Sequence, residues 1–106
     1  MQIEDLYEDY YLMNIKIKFI SLLVEYIGEE ELILKIDEKS SIKEILEILA
    51  IKYGENFKIK FLNSRNELNK YIKLILNDED LRSFQGLDTV VQEGDELTFL
   101  PVIAGG

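Results

Sequence analysis

The sequence predicts an α+β fold, a mixed sheet with one main helix packed across it. Two observations carry this. Four segments place apolar residues in alternation, the period of a strand with one buried face, while one segment repeats them at helical spacing. Clusters of turn-forming residues separate these segments, so the order is strand, strand, helix, strand, strand.

The first strand starts from Asn14, where Ile15, Ile17 and Phe19 alternate with Lys16 and Lys18. Ser21 to Ile27 fits a short helix closed by Gly28. Glu29 to Glu31 form an acidic turn, and Leu32 to Asp37 read as a second strand, antiparallel to the first. Ser41 and Glu44 then match a capping box, in which hydroxyl and carboxylate satisfy free amides of a first helical turn. Ile42, Ile45, Leu46, Leu49, Ala50 and Tyr53 make one apolar stripe down this main helix, and Gly54 stops it.

From Glu55 to Lys70 periodicity leaves the choice open. Phe57, Ile59 and Phe61 fit a strand or a helix, and Asn63 to Asn69 is turn-like. Ile72, Leu74 and Leu76 give the third strand, with a turn at Asn77-Asp78, a second at Gly86 to Thr89 and a third at Glu93-Gly94-Asp95. Glu96 to Leu100 form the last strand, with Leu97 and Phe99 inward. Pro101, the only proline, ends it for want of an amide donor. This ββαββ order matches a β-grasp, or ubiquitin-like, sheet.

The chain of 106 residues fits one domain. Its net charge of -9 repels nucleic acid and anionic membranes. That charge suits a partner with a basic face, or simply keeps a small domain in solution. There is no Cys and no His. A Cys-His pair, a Ser-His-Asp triad and a His- or Cys-based metal site are therefore excluded within the chain. No apolar run is long enough for a bilayer, and the N-terminus is acidic where a signal peptide needs base, so a cytoplasmic location is expected. Residues 1–12 hold Glu4, Asp5, Glu8 and Asp9 with Tyr7, Tyr10 and Tyr11 and no base. They read as a disordered acidic extension or a start upstream of Met13, or else as a docking arm. The domain itself is expected at 13–101, with a flexible tail at 102–106.

That tail, Val102, Ile103, Ala104, Gly105 and Gly106, carries the functional signal. Gly-Gly can enter a narrow channel in a partner and adopt backbone angles closed to other residues. Five extended residues after Pro101 reach about 17 Å, so the end can be processed away from the globule. The α-carboxyl, with a pKa of about 3.3–3.7, is ionised at neutral pH and is a poor electrophile. It must be activated, for example to an acyl-adenylate, before a sulfur nucleophile can displace AMP and leave a thiocarboxylate. None of this needs Cys or His in the chain. A Gly-Gly end can also be a frayed terminus, but its place directly after a strand and a proline strengthens the chemical reading.

Asp88 to Gly106 resembles the end of the MoaD-type proteins, the small sulfur-carrying subunits of molybdopterin synthase. The shared features are the Gly94-Asp95-Glu96 turn, an apolar strand, Pro101 and the terminal Ala104-Gly105-Gly106. Asn14 to Ser21, the Tyr53-Gly54 helix end and Tyr71 to Asn77 fit the same family, and thiamin-pathway carriers are related. The chain departs from the family at Val102-Ile103, where members often carry a second proline, and in a longer stretch from Phe57 to Asn69.

The resemblance implies that the first and last strands lie side by side as a central parallel pair. It also implies partners: a MoeB-type adenylating enzyme that uses ATP, a sulfurtransferase and the MoaE-type large subunit of molybdopterin synthase, with no tightly bound cofactor and no metal on this chain. Gly106 would become adenylate, then thiocarboxylate, and the tail would enter the partner's active site. Apolar residues at family positions contact partners; here strand alternation turns Ile20 and Leu100 outward, with Pro101 beside them and Leu81 joining after the Asn77 turn. Single exposed apolar residues are also ordinary on protein surfaces. Other outcomes begin with the same activated Gly106: conjugation to protein lysines as a ubiquitin-like modifier, or sulfur donation to thiamin, cysteine or tRNA. An interaction domain with an inert tail would keep its function without Gly105-Gly106.

Overall fold

A computed structural model of the chain describes residues 12–102. The expectations for the acidic extension and for Ile103 to Gly106 lie outside the described residues. The elements run β1 (Leu12–Phe19), α1 (Leu22–Ile27), β2 (Glu31–Asp37), α2 (Ile42–Tyr53), α3 (Glu55–Phe61), β3 (Ile72–Leu76), β4 (Glu79–Asp80) and β5 (Glu96–Pro101). Two single-turn 3-10 segments, Leu81–Ser83 and Gly86–Asp88, connect β4 to β5.

The five strands form one mixed sheet in the order β2-β1-β5-β3-β4. β1 and β5 are parallel, pairing Lys16 with Glu96 through Phe19 with Phe99, and the other neighbours are antiparallel. This is the β-grasp architecture. Side chains alternate across the pleat, so Ile15, Ile17, Phe19, Leu97 and Phe99 all turn to one face, where they are buried. Helix α2 covers that face with Ile42, Ile45, Leu46, Leu49 and Ala50, the stripe legible in the sequence.

The segment that periodicity left open is a helix. Phe57 and Phe61 stand one turn apart on its inner side and stack at 4.6 Å between ring centroids. Phe61 also meets Phe19 edge-on at 5.8 Å, and Phe19 stacks on Phe99 at 5.3 Å. Ile59, which a strand would have buried with them, is 67% exposed.

Side chains of the loops pin the sheet's registers. Asn77 and Asp78 both adopt left-handed backbone at the β3–β4 turn, as a two-residue hairpin requires. The Asn77 amide donates to the Asp95 carboxylate at 2.9 Å and its oxygen accepts from the Glu96 N–H. Gly94, at φ 83, closes the turn against β1 by donating to the Asn14 carbonyl.

Three expectations need correction. β1 begins at Leu12, paired with Asp37, two residues before the alternation becomes clear. The capping box forms by half: the Glu44 N–H donates to Ser41 Oγ at 3.3 Å, but the Glu44 carboxylate accepts from that hydroxyl, not from the Ser41 amide. Pro101 does end β5, but as its last residue, paired with Ile72, and one more bond toward β3 follows as the Val102 N–H donates to the Tyr71 carbonyl at 2.8 Å.

Candidate functional site

The central strand delivers the tail. β5 is held on one side by β1 and on the other by β3, so its last residues leave from the middle of the sheet. Backbone groups alternate along a strand. The Phe99 carbonyl accepts from Ile20 on the β1 side at 3.0 Å, whereas Val102 bonds toward β3. The Pro101 nitrogen therefore faces β1, where an amide would have donated to the Ile20 carbonyl in a parallel ladder. The proline ends pairing with β1 while β3 grips the chain one residue further.

Apolar surface surrounds this exit. Ile20 is 41% exposed, Tyr71 53% and Val102 45%, and Leu100 and Pro101 are half-buried. Leu22, exposed in the first turn of α1, extends the surface. Leu100 belongs to the sheet face away from the helices, with Thr98 on its own strand and Lys73 across from it. Lys70 Nζ lies 5.1 Å from the Tyr71 ring centroid. Ser21, between Ile20 and α1, has φ 60 and ψ -133, a conformation costly for any residue with a Cβ.

Leu81 is not part of this exposed surface. It is 6% exposed and forms, with Leu68, Ile72 and Leu87, the floor of a groove of about 590 Å³ that reaches Val102. The cause is local. The Asp80 carboxylate accepts from the Arg82 N–H at 2.8 Å, which bends the chain and turns Leu81 inward. Arg82 Nη2 lies 2.8 Å from Asp80 and Lys73 Nζ 3.2 Å, so these hydrogen bonds hold the Asp80 carboxyl well below the usual carboxylate range. On the far side, burial and a 2.9 Å hydrogen bond to Glu29 push the Tyr53 phenol above its ordinary value.

Of the residues singled out from sequence, the structure brings Ile20, Leu100, Pro101 and Val102 together around one strand end. Ile103, Ala104, Gly105 and Gly106 lie outside the described residues. Tyr71 was not singled out. It precedes the alternating run of β3, and only its bond to Val102 places it at the exit.

A sheet of this topology, with its last strand central and an exit at its end, defines a ubiquitin-like protein. The chain belongs to the ThiS family, small β-grasp sulfur carriers, whose model matches residues 17–106. It is 34% identical over 74 residues to a proposed sulfur carrier protein of Archaeoglobus fulgidus, covering 69% of this chain and 83% of that one. It is 41% identical over 44 residues to the sulfur carrier protein CysO of Mycobacterium tuberculosis, 42% of this chain and 47% of that protein. The solved structure of small archaeal modifier protein 1 from Methanosarcina acetivorans superimposes with a TM-score of 0.71 at 28% identity, covering 90% and 98% of the two chains. These relatives do not single out the molybdopterin synthase small subunit within the superfamily.

Proposed function

We propose that this protein carries sulfur as a thiocarboxylate on Gly106. The observation that supports the reading most directly is the exit itself. The chain is held in the central strand to Val102, and Gly105-Gly106 follow only Ile103 and Ala104. An adenylating enzyme of the ubiquitin-activating type lets the Gly106 carboxylate attack the α-phosphate of ATP, which forms the acyl-adenylate and releases pyrophosphate. The persulfide of a sulfurtransferase then displaces AMP to give an acyl disulfide, and a thiol of that partner cleaves the S–S bond, ending as a disulfide and leaving the thiocarboxylate on Gly106. With no Cys or His, this chain supplies neither a thiol nor an imidazole to these steps. Its part is to present the tail and to offer Ile20, Leu100 and Pro101 as a docking surface.

Two sulfur carriers and an archaeal modifier among the relatives favour the wider set of acceptors over molybdopterin synthesis alone. The acceptor is then a thiolation route such as those to thiamin, cysteine or tRNA, or a protein lysine. A second reading, the molybdopterin synthase small subunit with a MoaE-type partner, is favoured by the Gly94-Asp95-Glu96 turn, Pro101 and Ala104-Gly105-Gly106.

The test is intact-mass spectrometry of the protein from its native cells, isolated without reducing agent. The expected species is heavier by the difference between sulfur and oxygen. Fragmentation must place it on Gly106 rather than on an oxidised Met1 or Met13, and it must vanish when Gly105-Gly106 are deleted. Lysine-linked conjugates without thiocarboxylate would move the assignment to the modifier. An unmodified Gly106 in cells consuming sulfur by these routes would overturn it.

A further inference from the structure

Among the described residues β2 is an edge strand, and its sequence is complementary to itself. The Phe19 N–H donates to the Glu30 carbonyl at 2.8 Å, so even-numbered residues of β2 turn their backbone groups to β1. Glu31, Ile33 and Lys35 turn theirs to the free edge. Ile33 is 58% exposed on the sheet face away from the helices, and Glu31 and Lys35 flank it, both exposed. Among the described residues neither charge is in an ion pair. Lys18, the neighbour of Glu31 across the ladder, is bound to Glu96 at 3.4 Å instead.

From these observations we infer that β2 pairs with β2 of a second copy of this chain, antiparallel, about a twofold axis through Ile33. In that register Glu31 faces Lys35 of the second copy, Leu32 faces Leu34, and Ile33 faces itself. Each charge meets its opposite on the outer face, and the leucines meet on the inner face. Glu31, Ile33 and Lys35 are also the residues whose backbone groups have no partner among the described residues, so each exchanges both its N–H and its C=O.

Neighbouring registers do worse. An axis through Leu34 sets Glu31 against Asp37 and Ile33 against Lys35. An axis through Leu32 sets Glu31 against Ile33 and needs Glu29, which lies outside β2 and is held by the Tyr53 hydroxyl at 2.9 Å. Charges on an edge strand ordinarily prevent such pairing. Here they select one register of it.

The consequence is a continuous sheet across two copies. Five strand spacings of about 4.8 Å separate the two β5 strands, about 24 Å, and these strands run in opposite directions. The tails therefore leave opposite ends of the assembly, and neither tail exit is covered by the contact. Edges this short bury little area and each copy carries a net charge of -9, so the association is weak and rises with concentration.

The experiment is sedimentation velocity on the full chain over a concentration series at fixed salt. Wild type shifts toward dimer as concentration rises. Glu31→Lys and Lys35→Glu each weaken association at least tenfold, because each sets like charges opposite one another. Equal mixing of the two single variants restores the dimer, since each strand then supplies the charge that the other lacks. That recovery also shows both variants to be folded. In parallel, amide exchange at Ile33 and Lys35 slows as wild-type concentration rises. Wild type monomeric throughout, variants that associate like wild type, mixtures that stay monomeric, or edge amides protected equally at all concentrations would each overturn the inference.

Discussion

Ser21 shows what residue type leaves unread. Its place in an apolar run fits a short helix from Ser21 to Ile27, yet the helix begins at Leu22, the Ser21 side chain makes no cap hydrogen bond and its backbone sits at φ 60, ψ -133. Such a conformation costs about 1–3 kcal/mol without glycine. Ser21→Gly removes that strain and forfeits no side-chain bond, against a loss of order 0.5–1 kcal/mol in chain entropy. We expect a net gain of about 1 kcal/mol, read as a higher denaturant midpoint at unchanged m-value. A lower midpoint would mean that the conformation is not strained. Leu81 shows the same limit. Its apolar character was plain, but its direction depends on Asp80 capping Arg82, a contact that alternation does not encode.

Elements were legible in proportion to how local their signal is. β1 and α2 repeat their apolar residues over enough positions to fix both type and buried face. β4, two residues long, has no period to read. α3 failed for a sharper reason, because Phe57, Ile59 and Phe61 satisfy period two while Phe57 and Phe61 alone satisfy i, i+4. Only the phenylalanine cluster decides between them. The two assignments differ in a measurable way. Phe57→Ala should destabilise by about 3–5 kcal/mol, since it opens a cavity against Phe61 and Phe99. Ile59→Ser should stay within about 0.5 kcal/mol, as an exposed substitution does. Equal losses at both positions, by equilibrium denaturation, would return the segment to a strand.

For the molecule as a whole, the decisive feature is the parallel contact between β1 and β5, which joins the start of the domain to its end. Periodicity within each strand could not reveal it; the family resemblance did. That contact puts Ile20 beside the end of β5, so the surface around this strand end is built from both ends of the sequence. Leu100 tests whether this surface is used. Its side chain is half-exposed and stands across from Lys73, so Leu100→Glu places a carboxylate beside an ammonium and should leave the thermal midpoint nearly unchanged. The same carboxylate would be desolvated when an activating enzyme covers the apolar exit, its one near ammonium, Lys73, being already bound to Asp80 at 3.2 Å. Binding to that enzyme should weaken about tenfold or more, as for an interface residue near the centre of contact. Adenylation of Gly106, followed by pyrophosphate exchange, should fall with it at subsaturating carrier and recover as carrier concentration is raised. Recovery would show that Leu100 acts through docking, with Gly106 chemically intact. A variant that binds and reacts like wild type would remove Leu100 from the docking surface and leave the tail alone to be recognised.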